Sequence, residues 1–370
     1  MKVLITGADG FVGRNLRLAL SEQPDREVLA VTRTTTDAEF AAAIAAADAV
    51  IHLAGVNRPQ DPVDFITGNL GFTAHLCDAL RDAGRAVPIA FASSIQSGRE
   101  HPYGASKLAA EERLQAHARE TGAPLAIFRL PNVFGKWGRP NYNSAVATFC
   151  HNIARGLPIR IDDPAADVRL VYIDDAVAAL LRFLSAPPDG VEFRDVTPVH
   201  AITVGELARQ IEAFGDVRRS LLTERVGEGL VRALYATYIS YLPPESFGYA
   251  VPKHGDARGV FVEMLKTKDS GQFSYFTAHA GVTRGGHYHH SKTEKFLVVK
   301  GKARFRFRNL ATGEAHALET HGAEPTIVET IPGWVHDITN IGSDEMVVML
   351  WANEIFDRAR PDTIAAPVQP

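Results

Sequence analysis

Two groups of residues in this chain have types and spacings that suit chemistry. Near its C-terminal end the stretch GVTRGGHYHHSKTEKFLVVKG, residues 281–301, carries His287, His289 and His290, with Glu294 close behind. His336 follows in Gly333-Trp-Val-His336. Side chains alternate along a strand, so His287 and His289 share one face and His290 points to the other. Glu294 from the next strand and His336 from another can converge with that pair. Imidazoles plus a carboxylate suit a divalent cation such as Zn²⁺, Fe²⁺, Mn²⁺ or Ni²⁺. The plainer alternative is a set of polar side chains lining β-structure with no ion.

The second group lies near the other end. Tyr103 and Lys107 stand four apart at the start of an alanine- and glutamate-rich run, so both fall on one helix face. Ser93 and Ser94 close the apolar run before them. An ammonium beside a phenol is expected to lower the phenol's pKa and make it a usable proton donor to a carbonyl. A serine hydroxyl, Ser94 in preference to Ser93, would hydrogen-bond the same carbonyl oxygen. Upstream, Gly7-Ala-Asp-Gly10-Phe-Val-Gly13 follows the apolar run KVLIT and precedes a helical run. In that context glycines allow a tight turn and let backbone N–H groups approach a pyrophosphate at a helix N-terminus. The next apolar run, EVLAVT, ends in Arg33. An acidic residue there would bind a ribose 2′-hydroxyl; arginine suits a 2′-phosphate, which favours NADPH.

The elements that must position these groups change character along the chain. KVLIT, EVLAV, AVIHLA, PIAFAS and LAIFRL alternate with helical segments such as AEFAAAIAAA, LGFTAHLCDALRDA and SKLAAEERLQAHARE. That rhythm predicts an α/β doubly wound parallel sheet of Rossmann type. ITVGELARQIEAF adds another amphipathic helix. From about Pro243 short alternating segments such as KFLVVKG, ARFRFRN, TIVETI and MVVMLWAN take over, which predicts an all-β domain, sandwich or barrel. The expected domains are therefore residues 1–243 and 244–370. The tail DTIAAPVQP is expected to be ordered only if something docks it.

At 370 residues, with 46% hydrophobic and 22% charged residues and a net charge of −4, the chain reads as a globular protein of about two domains. No basic excess asks for nucleic acid or an anionic membrane. Two cysteines, Cys77 and Cys150, are too few for a disulfide framework or a thiolate zinc site and fit a reducing compartment. The apolar run at the start is broken by glycine and aspartate, too short for a signal core or a membrane span, so a cytoplasmic protein is expected. His52 and His75 read as packed histidines and Asp174 and Asp175 as helix-start residues. Tyr235, Tyr238, Tyr241 and Tyr249 read as inter-domain or dimer packing. Lys266 and Lys295 read as solvated lysines, with acid–base work in the barrel as the alternative.

Residues 1–215 resemble an extended short-chain dehydrogenase/reductase in the glycine loop, HLAG at 52–55, the serine pair, YGASK, RLPNVFG at 129–135 and YIDDAVAAL at 172–180. The resemblance implies Tyr103 as proton donor and Lys107 as a ribose-holding residue. It implies Gly7, Gly10, Phe11, Val12, Gly13, Leu53 and Ala54 around the cofactor, and Ser94 and Asn132 on the substrate side. The C-terminal spacing resembles the two motifs of the cupin superfamily, a small β-barrel, with His287, His289, Glu294 and His336 as metal ligands. Arg284-Gly285-Gly286-His287-Tyr288 and the segment from Asp256 through Arg258 to Glu263 are also similar to dTDP-4-keto-6-deoxyhexose 3,5-epimerases, where a histidine is the general base. His287 is thus claimed both as ligand and as base.

The whole chain, with HLAGVNRP, FGKWGRPNYNS, ATFCHNIARG, LYATYISYLP, HHSKTEKFLVVKGK and MLWANEIFD, resembles the CapF-like bifunctional enzymes of bacterial capsule and O-antigen (lipopolysaccharide) synthesis. That resemblance implies a homodimer acting on a UDP-linked 4-keto-6-deoxy amino sugar. Its zinc-holding cupin domain would epimerise carbon 3 of a UDP-2-acetamido-2,6-dideoxy-4-hexulose. The reductase domain would then use NADPH to form UDP-2-acetamido-2,6-dideoxy-L-talose, on the route to UDP-N-acetyl-L-fucosamine. The alternatives are a dTDP-4-keto-6-deoxyhexose reductase/epimerase, or a keto-sugar reductase whose cupin is a non-catalytic dimerisation module.

Overall fold

A computed structural model describes residues 1–252, 254–256, 259–261, 265–267, 271–354 and 359–369. Arg258, Glu263 and residues 355–357 of MLWANEIFD lie outside the described residues, as does the side chain of Lys266. The chain divides into two compact units. The first is Met1–Phe134, Tyr142–Ser144 and Val168–Ala201; the second is Gly135–Asn141, Ala145–Asp167 and Ile202–Pro370.

The first unit is built on six parallel strands: β1 (Lys2–Thr6), β2 (Glu27–Val31), β3 (Ala49–His52), β4 (Ile89–Ser94), β5 (Leu125–Leu130) and β6 (Val191–Phe193). Their order is β2-β1-β3-β4-β5-β6. The apolar runs in the sequence became strands because a parallel sheet is covered on both faces; all four residues of β3 are buried. Leu4, Val50, Phe91, Leu76 and Leu114 share the core between sheet and helices. Strand order reverses between β1 and β3, the switch point at which such sheets bind ligands.

Helix α1 (Phe11–Ser21) starts at this point, directly after the glycine loop. Helix α2 (Pro102–Thr121) follows β4. The His101 ring caps its start by accepting from the Gly104 N–H at 3.0 Å, Pro102 occupies the first turn, and Gly122 at φ +74° ends it.

The second unit contains the helices Ala145–Ile153, Val204–Ser220 and Gly229–Ser240 together with two five-stranded antiparallel sheets. One sheet runs Gly248–Ala250, Thr326–Glu329, Glu294–Lys300, Met346–Ala352, Gln272–Ala278. The other runs Ala315–His321, Lys302–Asn309, Trp334–Asn340, Thr283–Tyr288, Ile364–Ala365. The sheets pack through Phe296 against Phe305, with ring centroids 5.7 Å apart, and through Phe247 against Phe307 at 5.3 Å. These two packed sheets are the all-β part that the sequence predicts, and among the described residues no strand pairs with both.

The expected boundary near residue 243 falls inside this unit. Helical periodicity reveals an element's type but not which sheet it packs on. Glu329 accepts ion pairs from both Lys295 on a strand and Arg218 on the helix Val204–Ser220. Lys295 is therefore buried and paired, not solvated as the sequence suggested. Strand alternation turns it away from Glu294 onto the face where Glu329 waits. Tyr235 and Tyr238 pack on Phe214 at 5.1 and 6.0 Å within the same unit. No helix among the described residues is long and apolar enough to cross a membrane.

Candidate active site and candidate metal centre

At the glycine loop, close packing explains the residue choice. A Cβ on Gly7, which sits at φ +67°, would stand 2.8 Å from the Ala54 nitrogen. A Cβ on Gly13 would stand 2.3 Å from the Gly7 carbonyl oxygen. The ends of β1 and β3 are tied together by Thr6, whose hydroxyl oxygen accepts from the Leu53 and Ala54 N–H groups at 3.2 Å each. Gly10 is the N-cap of α1 and supplies no side-chain cap. Phe11 and Val12, half-buried, form the first turn, so that turn keeps N–H donors for an anion. Arg33 lies exposed just beyond β2. The arrangement fits a dinucleotide with its pyrophosphate at α1.

Ser93 and Ser94 end β4 and part ways. Ser93 donates to the buried Glu111 carboxylate, which also accepts from Arg129 at 3.1 Å (Nε) and 2.6 Å (Nη2). Ser94 faces the Tyr103 phenol, and its hydroxyl oxygen accepts from the Gln96 N–H at 3.1 Å. Strand alternation thus directs one hydroxyl inward and the other to the phenol. Lys107 is buried; its Nζ donates to the Ala92 carbonyl at 2.8 Å and sits 4.2 Å from the Phe91 ring centroid. Burial lowers its ammonium to about 8.

The expected lowering of the Tyr103 pKa does not occur. Burial pushes the phenol up, and the Ser94 hydrogen bond opposes that push. Lys107, turned to Ala92, does not offset it. Asn132 is exposed and donates to the Arg169 carbonyl at 3.2 Å. His52 is a packed histidine, held by Thr6 at 2.6 Å and Thr73 at 2.9 Å and pushed by burial down to about 3. His75 is exposed, with its ring stacked on Phe40 at 5.0 Å.

In the second unit, His287 lies on β7 (Thr283–Tyr288), Glu294 begins β8 (Glu294–Lys300) and His336 lies on β9 (Trp334–Asn340). A register shift between Gly285 and His287, with Gly285 at φ +97° and Gly286 at φ +74°, brings His287 opposite His336. His289 follows β7 immediately. One donor atom from each of His287, His289, Glu294 and His336 falls within 4.8 Å of the others. His290 stays outside this group, as alternation predicts, with its ring near Tyr288.

The cluster sets three imidazoles against one carboxylate. His289 Nδ1 contacts the Asp362 carbonyl oxygen, which can only accept, so Nδ1 carries a proton. Its Nε2 faces a Glu294 oxygen at 3.1 Å. Among the described residues both ring nitrogens of buried His336 lack a hydrogen-bond partner, and Nε2 stands 3.6 Å from the same Glu294 oxygen. Burial, helped by the neighbouring rings, pushes His287 down to about 3, and burial lowers His336 as well. The neighbouring His289, His336 and Lys292 hold Glu294 well below the usual carboxylate range against its burial. Three imidazoles with one carboxylate are the kind of donor set that holds a divalent metal.

Two family models match the chain, one containing each group of residues. Residues 3–197 match the NAD dependent epimerase/dehydratase family, and residues 254–364 match the polysaccharide biosynthesis C-terminal domain. The UDP-2-acetamido-2,6-beta-L-arabino-hexul-4-ose reductase of Pseudomonas aeruginosa is 58% identical over 368 residues, covering 100% of this chain and 99% of that protein. The crystal structure of the capsular polysaccharide assembling protein CapF from Staphylococcus aureus superposes with a TM-score of 0.69 at 39% identity, over 99% of this chain and 100% of that one. The chain belongs to the CapF-like family. A UDP-glucuronic acid 4-epimerase from Bacillus cereus in complex with NAD, 20% identical with a TM-score of 0.52 over 58% of this chain and 83% of that one, shows a shared fold alone.

Three residues of this CapF-like chain near the two centres escaped the sequence reading. Asn69 sits in a π-helical turn, Ile66–Gly71. Its amide donates to Ser106 at 2.9 Å and accepts from the Val56 N–H at 2.8 Å, fixing the backbone beside Lys107. A π turn breaks the 3.6-residue period on which sequence reading relies. Lys292 pairs with the second Glu294 oxygen at 2.8 Å; its place two residues before Glu294 was the only local clue. Asp362, 73 residues beyond His289, had none.

Proposed function

We propose that the chain is a bifunctional nucleotide-sugar enzyme. The His287–His289–Glu294–His336 centre epimerises carbon 3 of a UDP-2-acetamido-2,6-dideoxy-4-hexulose. The Tyr103 centre then reduces the 4-ketone with NADPH to UDP-2-acetamido-2,6-dideoxy-L-talose, toward UDP-N-acetyl-L-fucosamine for capsule or O-antigen. Reduction is assigned to residues 1–243 and epimerisation to residues 244–370, in a cytoplasmic homodimer. The observation that carries the reading is the coexistence in one chain of a Ser94–Tyr103 carbonyl site and a four-ligand centre. Its full-length likeness to a protein named as a reductase of such a ketone supplies the substrate class.

In the reductase, NADPH supplies the hydride. Gly7, Gly10, Phe11, Val12 and Gly13 would hold its pyrophosphate, Leu53 and Ala54 flank it, and Arg33 receives the 2′-phosphate. Ser94 donates a hydrogen bond to the 4-keto oxygen. Tyr103, kept protonated by burial, gives that oxygen its proton. Lys107, with an ammonium pKa of about 8, is poised to hold the nicotinamide ribose and restore the phenol's proton. Asn132 is placed on the sugar side.

In the epimerase centre, His287, His289, Glu294 and His336 would hold a divalent cation, with Zn²⁺ favoured by the imidazole-rich set. The chemistry such a cation adds is Lewis acidity toward a ketone oxygen. A polarised ketone acidifies the hydrogen on carbon 3; its removal and return on the other face inverts that carbon. His287 is the least buried of the four and therefore faces incoming substrate, whether as ligand or as base. Reduction afterwards removes the ketone and locks the new configuration.

The test is deuterium exchange. The protein is incubated in D₂O with the UDP-4-keto sugar and no NADPH, and the ring protons are followed by NMR. Deuterium at carbon 3, lost in His287→Ala, supports epimerisation at this centre. NADPH consumption without exchange would reduce the function to plain keto-sugar reduction. Faster turnover of the dTDP-linked ketone would overturn the nucleotide assignment.

A further inference from the structure

The segment 362–368 has no role in the chemistry above, yet it is held at several points against the histidine centre. Asp362 gathers the loop between His289 and Glu294 on one carboxylate. Its Oδ1 accepts from the His290 N–H at 2.7 Å, and its Oδ2 accepts from the Ser291 N–H at 2.8 Å, the Ser291 hydroxyl at 3.1 Å and the Lys292 N–H at 2.7 Å. The same residue's carbonyl takes the His289 Nδ1 proton and so turns Nε2 toward Glu294.

Beyond Asp362 the chain adds a short strand to β7, with Ile364 opposite Tyr288 and Ala365 opposite His287. The Ala366 N–H donates to the Gly286 carbonyl at 2.9 Å. Arg308 closes the far end by donating to the Val368 carbonyl at 2.9 Å and the Pro367 carbonyl at 2.8 Å. The tail that the sequence left conditional on docking is thus docked on the backbone that presents two of the four ligands.

We infer that this segment is a strap that sets the metal affinity of the centre, with Asp362 as the positioning residue that orients His289 and holds the 290–292 loop. The inference rests on the metal reading above. A carboxylate accepting several backbone N–H groups holds a loop in one conformation, because each donor is otherwise left to find water. A carbonyl on the distal nitrogen of a ligating histidine fixes its tautomer and its aim. Without the strap the four donors still exist, but His289 can rotate and β7 loses its outer neighbour. Arg308 tunes the same property from a distance, since its guanidinium donates to the tail carbonyls.

The test uses the full chain loaded with Zn²⁺, and with Co²⁺ as a spectroscopic probe. Affinity is measured by competition with a chromophoric chelator on wild type, Asp362→Ala, Asp362→Asn and Arg308→Ala, with near-UV circular dichroism as a folding check. Loss of such supporting contacts typically costs about 10–100-fold in metal affinity, the drop expected for Asp362→Ala. The Co²⁺ d–d bands should shift in that variant, which a merely structural residue would not cause. Asp362→Asn should fall between it and wild type. Arg308→Ala should release Zn²⁺ faster than wild type with the Co²⁺ bands unmoved. Wild-type affinity and spectrum in a folded Asp362→Ala would overturn the strap. If Asp362→Ala does not fold, Arg308→Ala decides: an unchanged Zn²⁺ release rate overturns the inference. Failure of wild type itself to bind either metal would overturn the metal reading and the strap with it.

Discussion

The two centres differ in how complete they are. In the first unit the polar groups around Tyr103 have protein partners: Ser94 with the Gln96 N–H, Lys107 with the Ala92 carbonyl, Ser93 with Glu111. In the second, His289 Nε2 stands 3.1 Å from a Glu294 oxygen, and among the described residues both buried His336 nitrogens lack a hydrogen-bond partner. The first group is satisfied by the protein's own contacts. The second leaves buried His336 nitrogens unpaired among the described residues, a cost that a bound cation would remove.

Variants can break this contrast, the largest effect first. Tyr103→Phe removes the proton donor and should lower ketone reduction by about 10²–10⁴-fold while exchange at carbon 3 in D₂O continues. Loss of exchange in the same variant would show that the two centres are not separable. His336→Ala or exhaustive chelation should do the reverse, abolishing exchange while leaving single-turnover reduction of the already epimerised ketone intact. Arg33→Ala should raise the KM for NADPH by about 10–100-fold, the worth of a hydrogen bond to a charged group, with NADH kinetics unchanged.

The Lys107 ammonium, lowered to about 8, sharpens the picture of the first centre. Reduction should fall as pH rises through about 8, as the ammonium is lost. Stability should move the other way. The unfolded lysine keeps its proton up to about 10.5, so between about 8 and 10.5 the unfolded state binds more protons and stability gains with pH. That gap is worth on the order of 3 kcal/mol, and pH-dependent denaturant melts of Lys107→Met should lack the rise. Ser93→Ala has the smallest expected effect. It should cost about 1–3 kcal/mol of stability through the bereft Glu111, and steady-state turnover should stay near wild type. Ser94→Ala should show the opposite balance.

Much of both centres was legible because their members lie close in sequence. The glycine loop with its flanking strand and helix, the Tyr103–Lys107 pair, and the step from His287 to His289 to Glu294 each sit within one or two elements. A period of two or 3.6 residues reports directly on a shared face there. His336 lies further off, but a strand residue beside a turn glycine, Gly333, still carries a local signal. Where the reading failed, burial or a distant partner decided. Burial raised the Tyr103 pKa against the expected pull of Lys107. Glu329 and Arg218 captured Lys295.

By itself, then, the amino-acid order determined the element types, the parallel sheet, the two ligand motifs and the family. Tertiary structure alone decided which serine meets Tyr103, that the helices Val204–Ser220 and Gly229–Ser240 belong with the C-terminal sheets, and that Asp362 reaches back across 73 residues to aim His289. The reason is physical. Local periodicity follows from backbone geometry that every residue shares with its neighbours, whereas a contact across a long loop exists only once the whole core has met the entropy cost of closing it.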